Sequence, residues 1–339
     1  MRSTVEFHSL LLITALLMVG SCTANDRSTS RVIHTVSGSV DADQLGFTLS
    51  HEHLFSNFGK PMEEAGSYDE QAVYRQAIPY LRKLREMGIQ TIFDYTAQKF
   101  GRRPVMLKVI ADSTDMRIVT NTGIYGAAED RYVPEYAYRV TAEELAKRWT
   151  EEFEKGIGES GIRPGFIKLA FDEGAPSAID KKLFRAGLLT HRTTGLTVAV
   201  HTGSNPEAVQ VQLQMLEEAG VSPEAWIWAH ANWHGETELL LETAAKGAWI
   251  SLDGVTKDNI NRYVDLIRRF RGKGLMDRLL LSHDGDLWPA GEAIRPMEAI
   301  PKHLVPALKE NGFTREEIDR LLQENPGRAY GVRVREVDG

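Results

Sequence analysis

Cysteine is almost missing from this chain. Of 339 residues only Cys22 carries a thiol, so no intrachain disulfide can form and stability must come from a packed core. Blocks of Lys or Arg are missing too, and a formal charge of −7 leaves no basic footprint for a nucleic-acid partner. One apolar run, LLLITALLMVG from Leu10 to Gly20, suits the core of an export signal and is too short to span a bilayer. No internal repeat and no second domain is visible. What remains is a globular composition, 42% hydrophobic and 26% charged, at a length ordinary for one α/β barrel.

The apolar run ends in VGSC, with small residues directly before the lone cysteine, as in a bacterial lipobox. The reading is a lipoprotein signal peptide over residues 1–21, lipid-modified Cys22 and a polar tether over residues 22–31. It places the mature protein on the periplasmic or cell-surface side, touching the membrane only through that anchor. The leader is weakly basic, since Glu6 offsets Arg2. An ordinary signal peptide that happens to contain Cys22 is the alternative.

Residues 32–339 read as a single domain in which short β-branched runs alternate with longer amphipathic ones, the rhythm of repeated βα units around a parallel sheet. The strands expected are GFTLSH from Gly46, TIFDYT from Thr91, RIVTNTG from Arg117, GFIKLAF from Gly165, TVAVHT from Thr197, AWIWAH from Ala225, AWISLDG from Ala248 and RLLLSHD from Arg278. Eight is the barrel number, so the fold class is α/β, a (β/α)8 TIM barrel. Helices are expected from Asp69 to Met87, Thr141 to Ile157, Pro206 to Ala219 and Asp258 to Phe270, with caps at Thr141, Asn205 and Thr314. Ahead of them RVIHTVSGSVDADQLG forms an N-terminal β-hairpin around Ser37-Gly38 that closes the barrel floor.

Barrel enzymes set catalytic groups at the C-terminal ends of the strands. There this sequence places His51 and His53, Lys168, His201, His230 and Asp284. Side chains alternate along a strand, so His51 and His53 share one face, able to hold one ion at about 2.0–2.1 Å. His201 and His230 suit a second ion, and Asp284 completes one of the two sites. Each residue alone is weak: an isolated strand-end histidine more often satisfies a hydrogen bond. Together they fall in register on five strand ends.

Lys168 stands out because an ammonium would repel two dications. After reaction with CO2 its carbamate (N6-carboxylysine) is an anion with two oxygens, able to bridge both ions; the alternative is a lysine paired with a nearby carboxylate. Tyr125, Trp233 and Trp288 follow strand ends as candidate substrate-pocket walls. His283 reads as a supporting residue facing away from Asp284, and His34, His191 and His303 as surface or hairpin residues. Trp226, Trp228 and Trp249 read as core or barrel–helix packing, and Glu173 as a solvated loop charge.

The blocks GFTLSHEHLF, GFIKLAFDEG, TVAVHTGSN, LLLSHDGD and LLQENPGRAYG resemble the phosphotriesterase-related branch of the amidohydrolase superfamily. TNTGIYG, with Tyr125, is similar to a stretch of phosphotriesterase-like lactonases. The resemblance implies that His51, His53, Lys168 and Asp284 hold the more buried ion, and Lys168, His201 and His230 the more exposed one. The ions expected are Zn2+, with Mn2+, Co2+ or Fe2+ as alternatives, in an enzyme that acts alone or as a homodimer.

The departures concern the substrate. Gly254 follows Asp253 where lactonases of the group commonly carry Arg and phosphotriesterases proper carry His. Asn232 and Trp233 stand where acidic residues are frequent, and the loop GDLWPAGEAIRP is short. The usual proton-relay chain is therefore expected to be absent. The expected activity is hydrolysis of a small-molecule ester, lactone or phosphotriester by a metal-bridging hydroxide, with Asp284 accepting its proton. Two rivals remain: a mononuclear-metal deaminase on the same barrel, for which Lys168 has no use, and a lipid-anchored binding protein without turnover.

Overall fold

The computed structural model describes residues 31–289 and 293–337. The leader, Cys22 and the tether up to residue 30 lie outside the described residues, and among those described no helix is long and apolar enough to cross a membrane.

Two short strands open the chain, β1 (Val32–Thr35) and β2 (Gly38–Asp41), paired antiparallel with Thr35 opposite Gly38. The expected hairpin is present, and Gly38 takes the positive φ its tight turn requires. Then come β3 (Phe47–Glu52), β4 (Ile89–Asp94), β5 (Arg117–Val119) and β6 (Asn121–Thr122), followed by β7 (Phe166–Ala170), β8 (Val198–His201), β9 (Trp226–Ala229), β10 (Trp249–Leu252) and β11 (Leu279–Leu281). β3, β4 and β5 form one parallel sheet, and β6 to β11 pair in chain order in another. β5 and β6 are two halves of the third expected strand, broken at Thr120, the first half pairing with β4 and the second with β7. On the other side Ser50 Oγ donates to the Leu281 carbonyl at 3.0 Å and Asp284 N to the His51 carbonyl at 3.2 Å, joining β3 to the end of β11. Eight strand positions thus close on themselves.

Helices cover the outside: α1 (Glu70–Glu86), α2 (Pro104–Thr114), α3 (Glu135–Arg139), α4 (Ala142–Lys155), α5 (Ala178–Thr194), α6 (Pro206–Glu218), α7 (Thr237–Ala245) and α8 (Ile260–Gly272). Their starts follow from capping chemistry. Thr141 and Glu144 exchange both bonds of a capping box, and Asn205 accepts from Ala208 N ahead of Pro206. Leu145 and Trp149, four residues apart on α4, turn one apolar face to the sheet.

The barrel interior is filled by Phe93, Tyr95, Phe166, Ile227, Trp249 and Leu280, capped below by Ile33 of the hairpin and by Tyr330. Tyr330 stacks on Phe93 at 3.9 Å and donates to the Ser50 carbonyl at 2.9 Å. That approach needs Gly327, where an added Cβ would lie 2.4 Å from the Ala42 carbonyl oxygen. Trp226 and Trp228 pack between sheet and helices, as expected. His34 sits in the hairpin with its ring on Ser39 Oγ. His191 corrects the sequence reading: it is fully buried at the end of α5, not on the surface. His303 is exposed.

Candidate metal centre

Strand alternation sends His51 and His53 from the end of β3 into the mouth, and neighbouring groups fix their rings. His51 Nδ1 lies 3.1 Å from Asp253 Oδ2, and His53 Nδ1 lies 2.9 Å from Thr96 Oγ1. Both rings therefore present Nε2 to Asp284 Oδ1, at 3.5 and 3.4 Å. Orienting a ligand histidine through its other nitrogen is how a metal site selects tautomer and direction.

The second pair stands beside the first. His230 lies 4.7 Å from His51 and 4.5 Å from His201, ring centre to ring centre. Tyr125 Oη is 3.4 Å from His201 Nδ1. Trp233 stacks on His230 at 4.3 Å with 47% of its surface exposed, a wall of the mouth. Lys168 is buried with Nζ 4.7 Å above the Tyr95 ring and 5.7 Å from Tyr125, and among the described residues its amine has no hydrogen-bond partner.

Two backbone positions mark this cluster. His230 (φ 60°) and Asp284 (φ 52°) adopt left-handed conformations that cost free energy in a non-glycine residue, and both stand where a strand has just ended. His230 Nδ1 is buried with no hydrogen-bond partner, its nearest acceptor Asp253 Oδ2 at 3.5 Å. Burial holds His51 and His201 well below their ordinary pKa and brings His230 to about 3, so the imidazoles are neutral and free to donate lone pairs. Burial also lowers Lys168 to about 7, against the opposing pull of Asp253 and Asp284. Burial pushes the Asp284 carboxyl up, but the hydrogen bond from His53 and the charges of His230 and His51 outweigh it and keep it low. Among the described residues two groups could hold a metal ion: His51, His53 and Asp284, and His51, His230 and Asp253.

The Phosphotriesterase family profile matches residues 31–330. This chain belongs to that family. It is 26% identical over 308 residues to an aryldialkylphosphatase of Saccharolobus solfataricus, covering 86% of this chain and 97% of the relative. It is 25% identical over 345 residues to an N-acetyltaurine hydrolase of Danio rerio, covering 87% and 97%. Among solved structures, organophosphorus hydrolase from Deinococcus radiodurans superposes with a TM-score of 0.80 at 28% identity, covering 90% of this chain and 98% of that one.

In this member of the phosphotriesterase family the structure brings together His51, His53, Lys168, His201, His230, Asp284, Tyr125 and Trp233. Trp288 is not among them. It packs against the outer core, and among the described residues no aromatic contact joins it to the mouth histidines.

Four residues escaped the sequence reading. Asp253, at the end of β10, holds His51 and accepts from His230 N at 2.8 Å. Its strand-end position is the same signal that found the others. Glu52 points away from His51 and His53, as alternation demands, yet it is fully buried. It accepts from His283 Nδ1 and Ser282 Oγ at 2.7 Å each and from Gly285 N at 2.6 Å, clamping both sides of Asp284. His283 faces away from the mouth and takes Ile300 N on its other nitrogen. Arg295 folds back to donate to the Asp284 carbonyl at 2.8 Å. Phe58, 46% exposed, meets Phe100, Tyr125 and Tyr132 at 5.6–5.9 Å and extends the aromatic wall.

Proposed function

We propose that this chain is a binuclear metal-dependent hydrolase of ester-type bonds that prefers carboxylic esters or lactones to phosphotriesters. The observation that carries the reading is the convergence of four imidazoles, Lys168 and Asp284 on one mouth, with Lys168 Nζ and His230 Nδ1 lacking hydrogen-bond partners. Buried polar atoms left unpaired are costly, and a bound cation removes that cost at His230.

Imidazole nitrogen and carboxylate oxygen fit zinc first, then manganese, cobalt or ferrous iron. His51, His53 and Asp284 would hold one ion and His201 and His230 the other, with Lys168 shared. When bound, such cations supply Lewis acidity that acidifies water and polarises the substrate oxygen. Lys168, lowered to about 7, is in part free amine at neutral pH, the form that adds to CO2; the carbamate would offer one negative charge shared over two oxygens. Asp284 opens onto the mouth and takes up a proton there as a general base, while Asp253 and Thr96 keep His51 and His53 in place. Phe58 and Trp233 favour an apolar substrate body, and Gly254 leaves open the space after Asp253, with only Tyr263 Oη and Asn232 Nδ2 at 3.6 and 3.7 Å from an added Cβ.

The relatives' names point to phosphoester and amide bonds as well. The test is therefore a screen of zinc- and manganese-loaded protein against lactones, aryl esters, phosphotriesters and N-acyl amides. A phosphotriester or amide with the highest kcat/KM overturns the ester preference, and no turnover of any class by metal-replete protein favours the binding-protein rival. We also infer that Cys22 is lipid-modified, from VGSC at the end of the leader. Cys22→Ser should release the protein from the membrane fraction or block processing, and normal processing with retention at the membrane contradicts it.

A further inference from the structure

We propose that the floor of the barrel, opposite the mouth, carries a second binding site, a pocket for a phosphate-type anion. It stands independently of the hydrolase reading. Residues 332–337 lie across the turns that precede β8 and β9: Arg333 N donates to the Gly195 carbonyl and Ser222 N to the Arg335 carbonyl, both at 3.0 Å. Beneath them opens a cavity of about 870 Å3. Five of its lining residues are cationic, Arg192, Lys246, Arg278, Arg333 and Arg335, against two carboxylates, Glu224 and Glu336. A chain of net charge −7 thus concentrates three excess positive charges in one concavity (five minus two).

The internal pairing leaves that charge unmet. Glu224 serves two guanidinium groups, Arg278 at 2.8 Å and Arg333 at 2.9 Å, and Asp277 stands farther from Arg278, at 4.0 Å. Arg335 is 3% exposed, and its hydrogen bonds go to neutral acceptors only: Thr197 Oγ1 and the carbonyls of Arg328, Ala329, Gly331 and Arg333. A buried guanidinium without a carboxylate is costly, and an anion in the adjoining cavity offsets that cost. Burial, then repulsion from Arg333, draws Arg335 down to about 9, in keeping with crowded positive charge. Arg192 and Lys246 stand on the rim with no side-chain partner among the described residues. Glu336, also exposed, is the one group on the rim that opposes an anion.

Guanidinium forks and a lysine ammonium around a polar concavity match the geometry of a tetrahedral oxyanion. The cavity has room for more than bare phosphate, so a phosphate ester is the ligand class. Arg31, the first described residue, lies on this face within electrostatic reach of Arg333 and Glu224, so the ester is either a soluble molecule or the headgroup of an anionic phospholipid.

The experiment uses the full-length, metal-loaded protein, carrying Cys22→Ser in the flotation arm so that no acyl anchor contributes. Inorganic phosphate is titrated calorimetrically at constant ionic strength, and flotation is measured with phosphatidylcholine vesicles with and without phosphatidylglycerol. The double variant Arg192→Glu/Lys246→Glu changes exposed, unpaired residues and should keep the fold and ester turnover. Phosphate affinity at the floor, flotation with phosphatidylglycerol, or both should fall at least ~10-fold. Loss in the phosphate arm assigns a soluble ligand, and loss in flotation alone assigns the lipid headgroup. Glu224→Gln, which frees Arg278 and Arg333, should bind several-fold more tightly. The same charge change placed elsewhere, Lys302→Glu/Lys309→Glu, should stay within about twofold. Unchanged binding in the floor variant, or equal losses in the control, overturns the proposal.

Discussion

The two ends of this barrel bury histidine in opposite ways. At the floor His191 donates from Nδ1 to the Leu196 carbonyl at 2.8 Å and accepts from Arg335 N at 2.9 Å, so both ring nitrogens are spent. At the mouth His230 is as deeply enclosed, but Nδ1 has no hydrogen-bond partner and the backbone is held left-handed. Lys168, over the Tyr95 ring in the same mouth, also lacks an acceptor among the described residues. Burial alone therefore separates neither structural from functional residues. Unmet hydrogen-bonding capacity is a signal only beside others: core atoms such as Trp226 Nε1 and Gln212 Nε2 also lack partners, whereas at His230 the unpaired nitrogen coincides with a left-handed backbone and neighbouring imidazoles.

Breaking the mouth should have the largest effect. Lys168→Ala is expected to lose bound metal and at least ~10^3-fold of hydrolase activity, since in the proposed site each ion would lose a ligand and the anionic bridge would disappear. Acetate should partly restore it, and Lys168→Arg should not substitute, because a guanidinium stays cationic. Metal analysis after desalting reads this directly, and two retained metals in the Arg variant would show that Lys168 does not bridge.

At the floor the expected effect is on stability rather than turnover. The folded pKa of His191 is about 4 against 6.5 for the free side chain, with burial the main cause. The unfolded chain binds the extra proton between those values, so this stabilisation is complete above pH 6.5 and is lost as pH falls to 4, about 3 kcal/mol in all. In metal-free protein, denaturant unfolding across that window should show a shallower acid loss for His191→Gln. Parallel curves would mean that His191 does not titrate between folded and unfolded states.

Glu52 ties the two lessons together, because it is satisfied itself while fixing the strained backbone at Asp284. Glu52→Gln replaces an acceptor by a donor opposite Gly285 N and should weaken metal affinity roughly 10- to 100-fold, with the ions' spectroscopic signature altered under Co2+. An unchanged chelator-competition curve would leave Asp284 held by other contacts. Smallest is the rim: Phe58→Ala should raise KM for apolar esters about 3- to 10-fold with kcat nearly constant, the effect of removing a half-exposed ring. A fall in kcat instead would place Phe58 in the chemistry.

Much of this was legible before any coordinates. Period-2 runs, strand-end polar residues and the Thr141, Asn205 and Thr314 caps gave the barrel and brought the mouth residues together. Those are local signals, set by side-chain alternation and by the first unpaired N–H groups of a helix. The break at Thr120, where one strand divides its pairing between neighbours, has no such signal. Nor does the separation of Trp233 from Trp288: both follow strand ends, but only one turns onto the histidines.

Residue type and parity along the chain thus determined that imidazoles, an amine and a carboxylate would meet at the ends of parallel strands. Only the tertiary structure decided which of their atoms would be spent. Glu52 was sent away from the mouth by its parity, and became a clamp on Asp284 because the turn after β11 curls over the end of β3. His191 was drawn inside and satisfied because Arg335 crosses over it, 144 residues further along the chain. Such pairings depend on which distant segments lie within hydrogen-bond reach, and that distance is set by closure of the barrel rather than by any local pattern.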